Sequence, residues 1–178
     1  MLDDQMERLF EALASRHFGK YPGVVKDNVD PLKSGRVEVE IPTVLGAQRV
    51  WALPCVPYVG KGGLGFHAIP DTGCNVWIEF IAGDRNHPIW TGCFWPENAL
   101  DTADAMPGVK FWKTTSFTIR IDDDQGELTI ESAAGGKITI SPTEISIEAP
   151  SINQTCGSRK VALTPATFDV FSGAFSVV

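Results

Sequence analysis

The 178 residues carry 22 acidic and 15 basic side chains, for a formal net charge of −7, and are 43% hydrophobic, enough for one core and a smaller appended element. Non-specific affinity for nucleic acid comes mostly from Lys and Arg releasing counterions, so this balance argues against a nucleic-acid partner. No stretch approaches the ~20 apolar residues of a membrane span, and Met1-Leu2-Asp3-Asp4 lacks the basic start of a signal peptide, so a soluble, unexported chain is expected.

Residues Asp3 to Phe18 are expected to form a helix. Met6, Phe10 and Leu13 fall at i, i+4 and i+7, Leu2 and Leu9 widen the same stripe, and Gly19 stops the run. The stripe docks either on a neighbouring subunit or on the chain's own next domain. From Tyr21 to Trp95 the period changes to two. Val37, Val39 and Ile41 alternate with Arg36, Glu38 and Glu40, and further strands are expected at Val24-Val25, Arg49 to Val56, Val76 to Phe80 and Ile89 to Trp95. Five short strands within about 75 residues, separated by Gly-rich and Asp/Asn-rich loops, predict a closed Greek-key barrel of the oligonucleotide/oligosaccharide-binding (OB) type.

Pro96 to Gly108 is a low-hydrophobicity stretch, and a linker is expected over 97–112. The rest repeats very short strands. Ile119/Ile121, Leu128/Ile130, Ile138/Ile140, Ile145/Ile147 and then Ile152 put β-branched or Leu side chains on one face, with Thr, Ser, Glu or Arg on the other. A meander this narrow makes no core alone, because a small sheet without a covering layer is marginal. No covering helix or sheet follows in the sequence. The cover is expected from other copies, with those nine side chains meeting as the core of a homotrimer; the alternative is a meander folded back onto the barrel. The overall expectation is a mainly β chain: N-terminal helix 1–20, OB barrel 21–96, linker 97–112 and an intertwined trimeric β-helix or prism 113–178. In the last stretch charge nearly vanishes, and Phe168, Phe171 and Phe175 are expected to close or tip the distal end.

Catalytic chemistry is not expected, and neither is a metal or cofactor. His17, His67 and His87 are isolated; Asp122-Asp123-Asp124 lacks the spacing that wraps calcium and reads as a solvated turn; no nucleophile elbow or phosphate loop occurs. Cys55, Cys74, Cys93 and Cys156 form no Cys-x-x-Cys unit and are expected as free, mostly buried thiols.

The order Phe18-Gly19-Lys20-Tyr21, Gly23 to Pro31, Gly35 to Pro42, Trp51 to Tyr58, Phe66 to Pro70, Gly73 to Phe80 and Pro88 to Gly92 resembles the phage baseplate assembly protein V family and related central spikes of contractile injection systems. Lys113-Thr114-Thr115 and Thr118 to Asp123 look like the start of the spike β-helix in that family and in the valine–glycine repeat proteins of type VI secretion. The resemblance implies a trimer, made in the bacterial cytoplasm and placed in a virion tail baseplate or phage-like particle. Its barrels would seat on a hub protein, and its distal end would touch the target envelope transiently. Unlike some relatives, the sequence has no fused hub, no lysozyme insert and no His-x-His tip, so hub and tip are expected as separate proteins or not at all. The competing expectation is a monomeric binding module that grips a glycan or a single strand through Trp51, Tyr58, Trp77 and Trp90.

Overall fold

The computed structural model describes residues 2–170 and 175–177 and divides into two units, Met1–Ala99 and Leu100–Val178. The first begins with helix α1 (Leu2–Ala14), which ends four residues short of the expected Phe18. The shortfall has a local cause. The His17 amide donates to the Gly83 carbonyl at 2.9 Å and the Arg16 guanidinium to the Ala82 carbonyl at 3.1 Å, so a barrel loop captures the chain before Gly19 is reached. His17, Tyr21 and Phe80 then pack ring against ring, with centroids 5.6 to 6.0 Å apart.

Strands β1 (Tyr21–Asp27), β2 (Val37–Glu40), β3 (Arg49–Pro54), β4 (Asn75–Phe80) and β5 (Pro88–Phe94) close a barrel in the order β1-β2-β3-β5-β4. Strands β3 and β5 pair parallel, while the other described pairings are antiparallel. This is the expected OB-type barrel, and closure removes the sheet edges. The alternation in sequence is the alternation in space: Val37, Val39 and Ile41 are fully buried, and Glu38 and Glu40 face outward. Val25, Ala52, Val76, Ile78, Phe80 and Trp90 complete the core. A short helix not anticipated from the sequence, α2 (Pro42–Leu45), bridges β2 and β3. Pro42 opens it, where a missing amide costs nothing, and the Val44 and Leu45 amides donate to the Ile41 carbonyl.

One carboxylate organises the loop between β1 and β2. Asp30 Oδ1 accepts from the Leu32 amide and from the Arg36 guanidinium at 2.7 and 3.0 Å, and Oδ2 accepts from the amide and hydroxyl of Ser34 and the amide of Arg36. The Arg36 guanidinium, ahead of the Ser34 and Leu32 donors, holds this carboxyl well below the usual range in spite of its partial desolvation. The loop's backbone is thereby fixed where the Gly35 carbonyl receives the buried Trp90 Nε1–H at 3.2 Å.

The second unit holds two antiparallel meanders. Strands β6 (Val109–Lys113), β7 (Phe117–Asp122), β8 (Glu127–Ser132), β9 (Lys137–Ile140) and β10 (Ile145–Glu148) form one sheet in sequence order, and β11 (Ile152–Cys156), β12 (Arg159–Leu163), β13 (Phe168–Val170) and β14 (Phe175–Val177) form another. The second sheet corrects the expectation that none follows the first meander: Ile152, Val161, Leu163, Phe168 and Val170 supply apolar positions for further short strands, although the isoleucines of the first sheet stay exposed. Val109–Lys113 corrects the expected linker: with Val109, Phe111 and Trp112, the end of that stretch has the side chains to pair with β7 along its whole length. The cysteines are free but exposed, not mostly buried. They sit beside or near strand ends, where the barrel or sheet no longer covers a side chain. Partial desolvation, with Cys74 nearby, still pushes the Cys93 thiol up.

Asp30→Ala should lower the urea midpoint at pH 7. Because the folded carboxyl titrates below its unfolded value of about 3.9, its contribution is complete above that pH and is lost as the pH falls through the folded value. The gap in midpoint between wild type and variant should therefore narrow in acid; a gap that holds constant or grows below pH 4 would contradict this role.

Candidate assembly interface

Directly opposed residues in an antiparallel pair point to the same face, so strand register decides which side chains meet. In the five-stranded sheet the register aligns Trp112, Ile119, Ile130, Ile138 and Ile147 in one rank. A second rank runs Ile121, Leu128, Ile140 and Ile145, with Lys110 at its β6 end. Each β7–β10 strand contributes one residue to each rank, two positions apart, so both ranks occupy one face. At ~4.8 Å between strands, that face is about 20 Å across. It is an uncovered apolar surface of regular geometry: the seven isoleucines in the two ranks are 37% to 70% exposed and Trp112 is 56% exposed.

The reverse face is polar and internally paired. Phe111, Arg120, Thr129, Thr139 and Ser146 form its central rank, and Thr118, Glu131, Lys137 and Glu148 form the next. Arg120 reaches Asp122 at 3.1 Å and Asp104 at 3.7 Å, and Lys113 reaches the same Asp104 at 3.4 Å. Asp104 stands in a turn whose amides fold back on the Asp101 carbonyl, so the segment before β6 is tied to this face. Thr129 is the buried polar residue at its centre. The Asp122-Asp123-Asp124 run is a turn, as expected: Asp122 accepts from the Gln125 amide, which with Arg120 lowers its pKa, and Asp123 pairs with Lys110.

Eight of the nine side chains expected to meet at a shared axis thus stand on this one face. Ile152 does not. It lies on the four-stranded sheet, where the register sets it in rank with Leu163 and Phe168, because Pro150 and Ser151 end the first meander before β11 begins. Phe168 and Phe175 belong to the same sheet, with ring centroids 6.5 Å apart, while Phe171 lies outside the described residues. Sequence reasoning missed Trp112, which was hidden in a presumed linker.

The aromatics of a binding module are dispersed. Trp90 is in the core, Trp77 packs against Phe94 at 4.4 Å, the Arg36 guanidinium covers Trp51 at 5.1 Å, and Tyr58 lies on the β3–β4 loop. Trp51 and Trp77 are on strands separated by β5, so the four make no continuous stacking platform. Among the described residues no three His, Cys, Asp or Glu side chains cluster as metal ligands; His87 pairs with Asp84.

Compared with known families, residues 21–95 match the one described as the type VI secretion system/phage-baseplate injector OB domain. No curated protein matches the chain.

Asp104→Ala removes two ion-pair partners from the polar face at once and should lower stability by about 1 kcal/mol, as partly exposed pairs do. The apolar ranks on the other face are untouched, so the mass in solution should stay that of the parent. A variant that changes its mass would show that Asp104 takes part in assembly.

Proposed function

We propose, from the match of residues 21–95 to the injector OB domain, that the chain is the central spike of a contractile phage tail or phage-like particle, acting as a homotrimer without catalysis. The observation that carries this reading is the pair of aliphatic ranks on the five-stranded sheet. Completing the burial of each half-covered side chain is worth roughly 1 kcal/mol, so each chain gains on the order of 10 kcal/mol. Association costs about 4–15 kcal/mol per step, so three chains joining in two steps recover more than they lose. Three polar faces then point outward, where Arg120 and Lys113 keep their pairs with Asp104.

The other parts follow from that arrangement. The three barrels seat on a hub protein of the baseplate. The four-stranded sheet, with Ile152, Leu163, Phe168 and Phe175, closes the distal end and seats a tip protein, and this end meets the target envelope transiently. Stiffness does the work here. A thin sheet wrapped against two copies has no uncovered apolar face and no loose layer to shear, which suits a part driven through a membrane.

Light scattering of the full chain should give three times 19.3 kDa. Ile138→Asp or Ile140→Asp should leave a barrel that folds but a chain that does not assemble, because three carboxylates desolvated around one axis cost several kcal/mol each. A stable monomer at micromolar concentration, or a normally assembled Asp variant, overturns the reading.

A further inference from the structure

Two exposed surfaces of the 1–99 unit are complementary and lie at opposite ends of the barrel. Strands β1, β3 and β5 run one way and β2 and β4 the other, so the loops 28–36 and 55–74 share one end. Helix α1 enters at the other, pinned by Arg16 and His17 to Ala82 and Gly83 of the β4–β5 loop. The first end carries Val29, Leu32, Tyr58, Val59 and Leu64, each 57% to 76% exposed. Between its two loops, joined by Asn28 Nδ2–H donating to the Pro70 carbonyl at 3.2 Å, opens a groove of about 290 Å³ with Val59, Leu64 and Phe66 on one wall and Lys33 to Gly35 on the other. Lys33, which lines this groove, and Lys61, on the loop segment between Val59 and Leu64, make no ion pair among the described residues.

The helix has the opposite charge and the same hydrophobicity. Met6, Leu9, Phe10 and Leu13 are 49% to 62% exposed, so α1 does not pack on its own barrel. Its thirteen residues include four carboxylates and a single arginine. It is about 20 Å long, against about 23 Å for the seven-residue β1, so a helix leaving one barrel spans roughly the height of the next. We propose that α1 of one copy docks in this groove on the next copy, with Phe10 as its anchor and Glu7 and Glu11 facing Lys33 and Lys61. Repeated about a three-fold axis, such a head-to-tail contact closes into a ring. The inference rests on the homotrimer put forward above and adds what holds the barrels to one another.

The test places the photo-crosslinker benzoylphenylalanine at position 10 of the full chain, assembles isotopically heavy and light chains together, and identifies the linked peptides by mass spectrometry. Links between heavy and light chains, into residues 29–36 or 58–67, are expected. Lys33→Glu with Lys61→Glu should cut their yield several-fold, and adding Glu7→Lys with Glu11→Lys should restore it. Links confined to one chain, links to the sheet faces, a purified trimer without links, or a helix that links only when a baseplate protein is added would each overturn the proposal. The mass of the same sample separates the two readings: a monomer sinks the trimer, while a trimer lacking these links sinks only the helix contact.

Discussion

The constraint on which the rest turns is one-sidedness. A sheet of four- to six-residue strands has two faces and the thickness of a single layer, so one face stays wet unless something covers it. In the Leu100–Val178 unit the polar face has partners within the chain, through Asp104, Arg120 and Lys113. The apolar face, two ranks deep, stays exposed. Hydrophobic burial scales with area removed from water, and here that area is arranged as straight ranks instead of a scattered patch. Straight ranks of this kind present a regular surface to whatever covers them.

The barrel solves the same problem by closing. Its core residues, from Val25 to Trp90, are nearly all fully buried inside one chain, and its joins are local: Asp30 ties the β1–β2 loop, and Gly35 receives Trp90. The first unit therefore has a core of its own, while the five-stranded sheet leaves its apolar ranks uncovered among the described residues.

Strand period was the most legible feature of the sequence, since an alternation such as Val37-Glu38-Val39-Glu40 has only one way to sit on a half-buried barrel. The eight aliphatic residues of the long sheet were legible for the same reason, and their register follows once the turns at Gly126, Gly135-Gly136 and Pro142 are counted. What escaped was decided by contacts distant in sequence. Nothing near Ala14 signals that Gly83 will end the helix, and Val109 to Lys113 looks like the tail of a linker until β7 stands beside it. The cysteines misled for another reason: a small apolar side chain favours burial on average, but at a strand terminus there is no layer above it. The C-terminal strands blurred because Asp169 and the Thr-Pro-Ala-Thr turn interrupt their alternation.

The distribution of polar groups points the same way as the distribution of apolar ones. Ionic groups on an assembling surface must be desolvated or repaired, and this sheet keeps them off it: Arg120, Glu131, Lys137 and Glu148 all project to the reverse face, and Lys110, at the β6 end of an apolar rank, is held by Asp123 at the edge. Such segregation leaves the apolar face clear of groups whose desolvation would oppose its burial. The shifted titrating groups among the described residues are dispersed in the same way: three carboxylates in or beside turns, held by neighbouring donors, and one partly sheltered thiol, each shifted by its own neighbours.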